Sequence, residues 1–299
     1  MTRRGLRIDA ARLLALRDRR FRRLPSLRVR SAKTALAFVN DVGFCSTFYR
    51  FGDGSVPCLW EAVVGRASPR WPKHSHHDDG VGLTWRLKDD LPAARRVYYG
   101  KVLRGRPTLV ALDLFPAFYA LVRGPQRARA YRMGYEAGRL TLTARRIMEA
   151  LTAEHPQYTR GLRASCFMLE PRQTREFERA MAELQQGLWV VKTEERYEPT
   201  FSYRWDLLEA WLPDAVATGR RLSRSTAAAR LVERYGRAAV VTRPSVLRRI
   251  FGLTEAEAAA AIGTLTSRGA LIETDVRGWP GRWLVHGSEI DSKQEMGER

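Results

Sequence analysis

Within the stretch TWRLKDDLP, residues 84–92, Trp85 stands just ahead of Lys88, Asp89 and Asp90. A flat aromatic beside a cation and carboxylates has the parts to hold a displaced nucleobase or a phosphate. The same residues equally make a packed Trp next to an exposed ion pair. Shortly after, Tyr98, Tyr99, Lys101, Arg104 and Arg106 interleave aromatics with cations around an Arg-Gly-Arg-Pro turn. That mixture suits base stacking and phosphate contact, although tyrosines on a strand are also ordinary core and surface residues. His74, His76, His77, Asp78 and Asp79 are zinc-ligand types. They fall in a Pro- and Gly-containing run with Cys45, Cys58 and Cys166 far away, so a solvated loop over nucleic acid is expected there and no metal. No P-loop, GxGxxG or Ser-His-Asp order occurs, which leaves nucleotide-driven and acyl-transfer chemistry without support.

These residues sit in a chain whose charge asks for a polyanion. Across 299 residues, 52 Lys and Arg face 32 Asp and Glu, a net charge of +20. Only six of the 52 are lysine. Codon bias explains Arg in place of Lys but not the excess itself. A field of that size favours nucleic acid over an anionic membrane surface. No run approaches the ~20 apolar residues of a membrane span. Arg3, Arg4 and Arg7 are not followed by an apolar h-region, so a secretory leader is not expected, and the cytoplasm, with nucleoid association, is the expected compartment. Three cysteines without a CxxC spacing predict reduced thiols. The length suits about two domains or three small ones.

The elements that must position these groups can be read along the chain. Residues 12–23 predict an amphipathic basic helix, with Leu13, Leu14, Leu16 and Phe21 apolar and Arg12, Arg17, Arg19, Arg20, Arg22 and Arg23 turned to phosphates. A membrane-surface helix is the competing reading. Helices are expected over 31–42 and 59–64, a turn at 51–54, a mobile polar insert over 65–82, and strands over 97–103 and 108–112. Helices over 143–153, 159–165 and 171–186, closed by Gly187, precede a hairpin built from LWVVKT and FSYRW. Three helices and a two-stranded wing make the layout of a winged helix-turn-helix. It recurs with helices over 226–235, 244–251 and 254–268, where Thr254 and Glu257 are spaced as a capping box, and with wing strands over 270–276 and 282–285. The expected class is therefore mainly α with small β wings (α+β), as tandem modules over 1–137, 138–212 and 213–287 with a polar tail at 288–299. In the second module Arg172 and Arg175 share a helix face among glutamates, so part of that stripe is intrahelical pairing. In the third, the recognition-helix position carries two glutamates and an alanine run where base reading needs Arg, Lys, Asn or Gln. Its DNA contacts are expected from Arg220, Arg221, Arg248 and Arg249 and from Arg277 and Arg282 on the wing.

Taken together, VNDVGFC (39–45), LWEAVVGR (59–66), TWRLKDDLP (84–92) and YYGKVLRGRPTLVALDLFPAFYAL (98–121) resemble the AlkZ/YcaQ family of bacterial DNA glycosylases, in a branch related to AlkZ. The resemblance spans about residues 8–285. It implies three winged modules around a positive concave surface, double-stranded DNA as partner, a monomer, no cofactor, and a role in recognising or repairing alkylated DNA. Characterised members carry a Gln-x-Gln or Gln-x-Asp pair that places the hydrolytic water. Here the corresponding stretch is AFVNDVGF, which puts Asn40 with Val42, or Asn40 with Asp41, at the pair. Asn40 is one methylene shorter than Gln and Val42 forms no hydrogen bond, whereas Asp41 serves as base or charge stabiliser if the register shifts by one. One amide or carboxylate placing a water suffices for a cationic leaving group, so Asn40 and Asp41 are the expected catalytic residues. The altered pair keeps a second reading open, a non-enzymatic winged-helix transcriptional regulator.

Overall fold

A computed structural model describes residues 8–51, 54–126 and 130–291. Arg3, Arg4 and Arg7, the middle of the expected 51–54 turn and residues 292–299 of the expected tail lie outside it. The chain begins with β1 (Ile8–Asp9) and α1 (Ala10–Arg20), followed by α2 (Ala32–Val42), β2 (Phe44–Ser46), α3 (Leu59–Val64), α4 (Asp79–Ala93), β3 (Val97–Leu103), β4 (Arg106–Ala111) and α5 (Phe115–Val122). Next come α6 (Tyr131–Glu136), α7 (Leu142–Ala153), β5 (Gln157–Tyr158), α8 (Thr159–Ser165), α9 (Thr174–Gln186), β6 (Val190–Arg196) and β7 (Ser202–Leu207). The last part holds α10 (Leu208–Trp211), α11 (Pro213–Arg221), α12 (Arg224–Ala239), β8 (Val241–Thr242), α13 (Pro244–Phe251), α14 (Glu255–Ser267), β9 (Leu271–Arg277), β10 (Arg282–His286) and α15 (Ser288–Asp291). Helices thus dominate and the strands gather into three small sheets, β2-β4-β3, β5-β7-β6 and β1-β9-β10-β8. This is the α+β class that the sequence led us to expect.

Local chemistry sets the boundaries. Ser31 and Thr34 form a capping box that starts α2, and Thr254 with Glu257 does the same for α14. Gly43 ends α2 at φ +86°, and a Cβ there would lie 2.4 Å from Arg234 Cγ and 2.8 Å from Leu114 Cδ2. Only glycine meets both demands, so the chain turns sharply from α2 into β2. Phe44 therefore begins the strand. Its ring lies 6.1 Å from that of Tyr235, stacked, and 5.7 Å from Phe251, edge on. Tyr235 donates from its hydroxyl to the Ser55 carbonyl at 3.1 Å. Through these contacts the α2–α5 region and the α12–α14 region share one apolar core. The α6–α9 helices and the β6–β7 hairpin enclose a second, built on Ile147, Leu151, Phe177 and Leu184.

The N-terminal segment differs from the sequence expectation. β1 runs parallel to β9, pairing Ile8 with Val276 and Asp9 with Arg277. Leu13 packs with Val240, Val241 and Val285. Residues 8–20 therefore complete the C-terminal sheet and its core. Helix α1 stops at Arg20, because Arg22 takes a left-handed φ of +54°.

Several of its arginines consequently serve the fold. Arg17 donates from Nε to the Ala239 carbonyl at 2.8 Å and from Nη2 to that of Val241. Arg20 binds the Arg237 carbonyl and Glu289. Arg23 is buried against Glu61, with Nη2 2.7 Å from Oε2. Helix α1 lies on α12, and carbonyls at and just after the C-terminal end of α12 take up Arg17 and Arg20, while Glu61 takes up Arg23. The expected phosphate-facing role is therefore corrected for Arg17 and Arg23, and Arg20 keeps an edge on solvent. The expected insert at 65–82 is also shorter. Asp78 accepts from the Val81 amide at 2.8 Å and caps α4, so TWRLKDDLP is helical rather than a segment after a loop. Among the described residues no group of three or more His, Cys, Asp or Glu side chains gathers to hold a metal. None of the described helices is long and apolar enough to cross a membrane.

Candidate functional site

Two clefts divide the residues that the sequence nominated. The first, about 700 Å³, is lined by Arg19, Arg20, Arg22, Arg28, Arg30, Arg237 and Asp41. Asp41 Oδ2 accepts from Arg22 Nη2 at 3.0 Å, and the Asp41 carboxylate is exposed. The backbone carbonyl of Asn40 accepts from Arg234 at 2.8 Å, while the Asn40 side chain is exposed. This is a cationic trough with one carboxylate in it.

The second cleft, about 730 Å³, opens between β3, α4 and the β6–β7 hairpin. Trp85, Lys88, Tyr99 and Lys101 reach it from the first half of the chain, and Lys192, Glu195, Tyr203 and Trp205 from the hairpin. Lys88 is buried, binds Asp89, and donates to Glu195 Oε1 at 2.8 Å. Lys192 binds the same Glu195. Tyr197 donates to Asp89 Oδ2 and Glu195 Oε2, each at 3.0 Å. The aromatic rings close over these charges: Lys88 Nζ lies 4.5 Å from the centre of Trp85, and Lys192 Nζ lies 4.7 Å from Tyr99 and 4.9 Å from Tyr203. Burial, and next the positive charge of Lys88, push the Lys192 amine down to about 7. Burial lowers Lys88 as well, against the pull of Asp89. The cluster is therefore charge-balanced when both amines carry protons, and carries one net negative charge once Lys192 releases its own.

The aromatic-and-cation turn contributes only in part. Tyr99 and Lys101 line the cleft, Arg104 is exposed at the turn, and Arg106 lies 4.2 Å over the ring of Tyr49. Tyr98 does not: it is buried and stacked on Phe115 at 4.3 Å. On a strand neighbouring side chains point to opposite faces, so only one of the two tyrosines could reach solvent. Asn40 and Asp41 do not line this second cleft. Thr47, Phe48 and Tyr49, which follow β2, do.

Arg172, Arg175, Arg221, Arg248, Arg249, Arg277 and Arg282 are exposed, and Arg12 is half-buried. Arg248 pairs with Glu255 at 3.5 Å, Arg282 with Glu273 at 3.4 Å and Arg220 with Glu209. Lys192, Glu195 and Tyr203 were missed because their partner α4 is remote in sequence. One signal was present: among so many arginines, Lys88, Lys101 and Lys192 are half of the six lysines, and of the two cations only lysine readily gives up its proton.

Dominant helices with three small sheets, an arginine-lined trough and an aromatic cleft define the α+β class of the fold. The chain belongs to the AlkZ-related family, whose model matches residues 29–252. Among solved structures it is similar to the Streptomyces sahachiroi DNA glycosylase AlkZ, with a TM-score of 0.61 and 14% identity over 96% of this chain and 72% of that one. At that identity the likeness is one of fold. No curated protein matches it.

Proposed function

We propose that this protein binds double-stranded DNA as a monomer and acts in the recognition or repair of alkylated bases. The observation that carries this reading is the aromatic cleft with its Lys88–Asp89–Lys192–Glu195 cluster. An alkylated purine carries positive charge. Ring faces at Trp85, Tyr99 and Tyr203 attract cations, as their contacts with Lys88 and Lys192 illustrate. Once Lys192 is neutral, the rings beside it and the two carboxylates favour a cationic base in its place. A damaged base also costs less to unstack than an intact one. The arginine-lined trough supplies the phosphate contacts that any such extrusion needs.

A regulator that reads sequence is poorly served by comparison. The first turn of α14 presents Glu255 and Glu257, and Arg224, with the Thr254 amide, holds the Glu257 carboxyl down at about 2. Carboxylates there repel the backbone and match few base edges.

For hydrolysis, Asp41 is the carboxylate within the trough, and it can direct a water only if the sugar–phosphate path runs there. Incubation with a duplex carrying an N7-alkylated purine, then alkali, is expected to yield strand breaks at the lesion. In Asp41→Ala the breaks should fall to the no-protein background. Absence of breaks with wild type on every alkylated substrate removes hydrolysis and leaves recognition alone.

A further inference from the structure

In the proposed function Lys192 acts only through its charge, yet its amine is also placed for covalent chemistry. Lys192 is almost enclosed, its side chain 12% exposed, between Tyr99 and Tyr203. A second amine, Lys88, stands beside it on α4, and the cleft opens onto both. Desolvation together with an adjacent cation is how a lysine becomes a nucleophile near neutral pH. An arginine in its place would not do so, and the chain puts lysine here against its own strong preference for arginine.

We propose that Lys192 forms an imine with an aldehyde seated in the aromatic cleft, and that this aldehyde is the ring-opened deoxyribose of an abasic site in DNA. The choice of substrate rests on the DNA-repair reading above, since removal of a base exposes that aldehyde. In the step, the Lys192 nitrogen lone pair attacks C1′ and the carbonyl oxygen takes up a proton. The carbinolamine then loses its hydroxyl as water, leaving a C1′=N bond. One water leaves for each imine formed, and no oxidant or reductant is consumed. Asp89 and Glu195 are the carboxylates that face the amine, Lys88 is the neighbouring cation, and Tyr99, Tyr197 and Tyr203 are the other titratable groups packed against the cluster. The carboxylates are placed to take the proton that the attacking amine releases.

The test is reductive trapping. Full-length protein is mixed with a duplex carrying one abasic site, with cyanoborohydride present, across pH 6 to 9. Binding of the same duplex is measured in parallel. The expected result is a protein–DNA adduct that survives denaturing electrophoresis, maps by peptide analysis to Lys192, and rises in yield through a pH of about 7. Lys192→Arg, which fixes the positive charge that Lys192 carries only when protonated and has no amine to condense, should give no adduct at any pH at which it binds the duplex. Lys88→Gln should move the rise to higher pH, because the neighbouring positive charge is gone; a purely structural lysine would show no such shift. Binding without an adduct, or an adduct on another of the six lysines, overturns the imine and leaves the DNA-binding reading intact. Failure to bind any duplex overturns that reading itself, and the imine with it.

Discussion

Replacing Arg23 with alanine is expected to destabilise the protein by about 3–5 kcal/mol, the cost of leaving one member of a buried ion pair alone. Glu61 has a side chain only 3% exposed, and its Oε2 receives Arg23 Nε at 2.9 Å and Nη2 at 2.7 Å. Arg23 also reaches the Gly54 carbonyl at 3.2 Å and lies 4.7 Å over the ring of Phe21. The other oxygen of Glu61 accepts from the Ser68 amide at 2.9 Å, so the orphaned carboxylate would also unsettle the chain after α3. Domains of this kind hold only about 5–15 kcal/mol in total, and the loss would show as a large fall in urea midpoint. The double replacement Arg23→Met with Glu61→Leu should recover much of it, since no unpaired charge remains in the core. A loss below about 1 kcal/mol, typical of exposed pairs, would contradict the placement of Arg23 in the core.

DNA affinity is expected to fall steeply with salt, by about 10³- to 10⁵-fold between roughly 50 and 200 mM if six to ten phosphates are contacted. The trough holds Arg19, Arg20, Arg22, Arg28, Arg30 and Arg237, of which Arg20 and Arg22 already have acidic partners. Exposed arginines elsewhere extend the cationic surface. Titrations of a plain duplex by fluorescence anisotropy at several salt concentrations give the slope. Arg19→Ala and Arg30→Ala should each make it shallower by about one phosphate's worth. A nearly flat slope would show that the +20 charge is not spent on phosphates.

The sequence disclosed the local elements well and the long-range pairings poorly. Helix α13 and the β6–β7 hairpin could be placed because proline at a helix start, periodic apolar residues and turn residues are local signals. The pairing of β1 with β9 was invisible, since a two-residue strand has no periodicity and its partner lies at the far end of the chain. Arg19 and Arg23 look alike in a run of arginines. One lines the trough and the other is buried, and the difference is made by Glu61, 38 residues away from Arg23. The candidate site was half legible: Trp85, Lys88 and Asp89 stood out as a group, while Lys192 and Glu195 join them only because the hairpin packs against α4 and β3.

In the proposed function the aromatic cleft holds a displaced, alkylated base. Trp85 is 47% exposed beside the cleft, so its replacement should leave the fold intact. The decisive measurement is the affinity of wild type and Trp85→Ala for one duplex with and without an N7-alkylated purine at a fixed salt concentration. Base–aromatic stacking contributes about 1–3 kcal/mol per base. Wild type should therefore prefer the alkylated duplex, and Trp85→Ala should lose about ten-fold or more of that preference while binding the plain duplex as before. No preference in wild type, or an equal loss on both duplexes, would contradict the account.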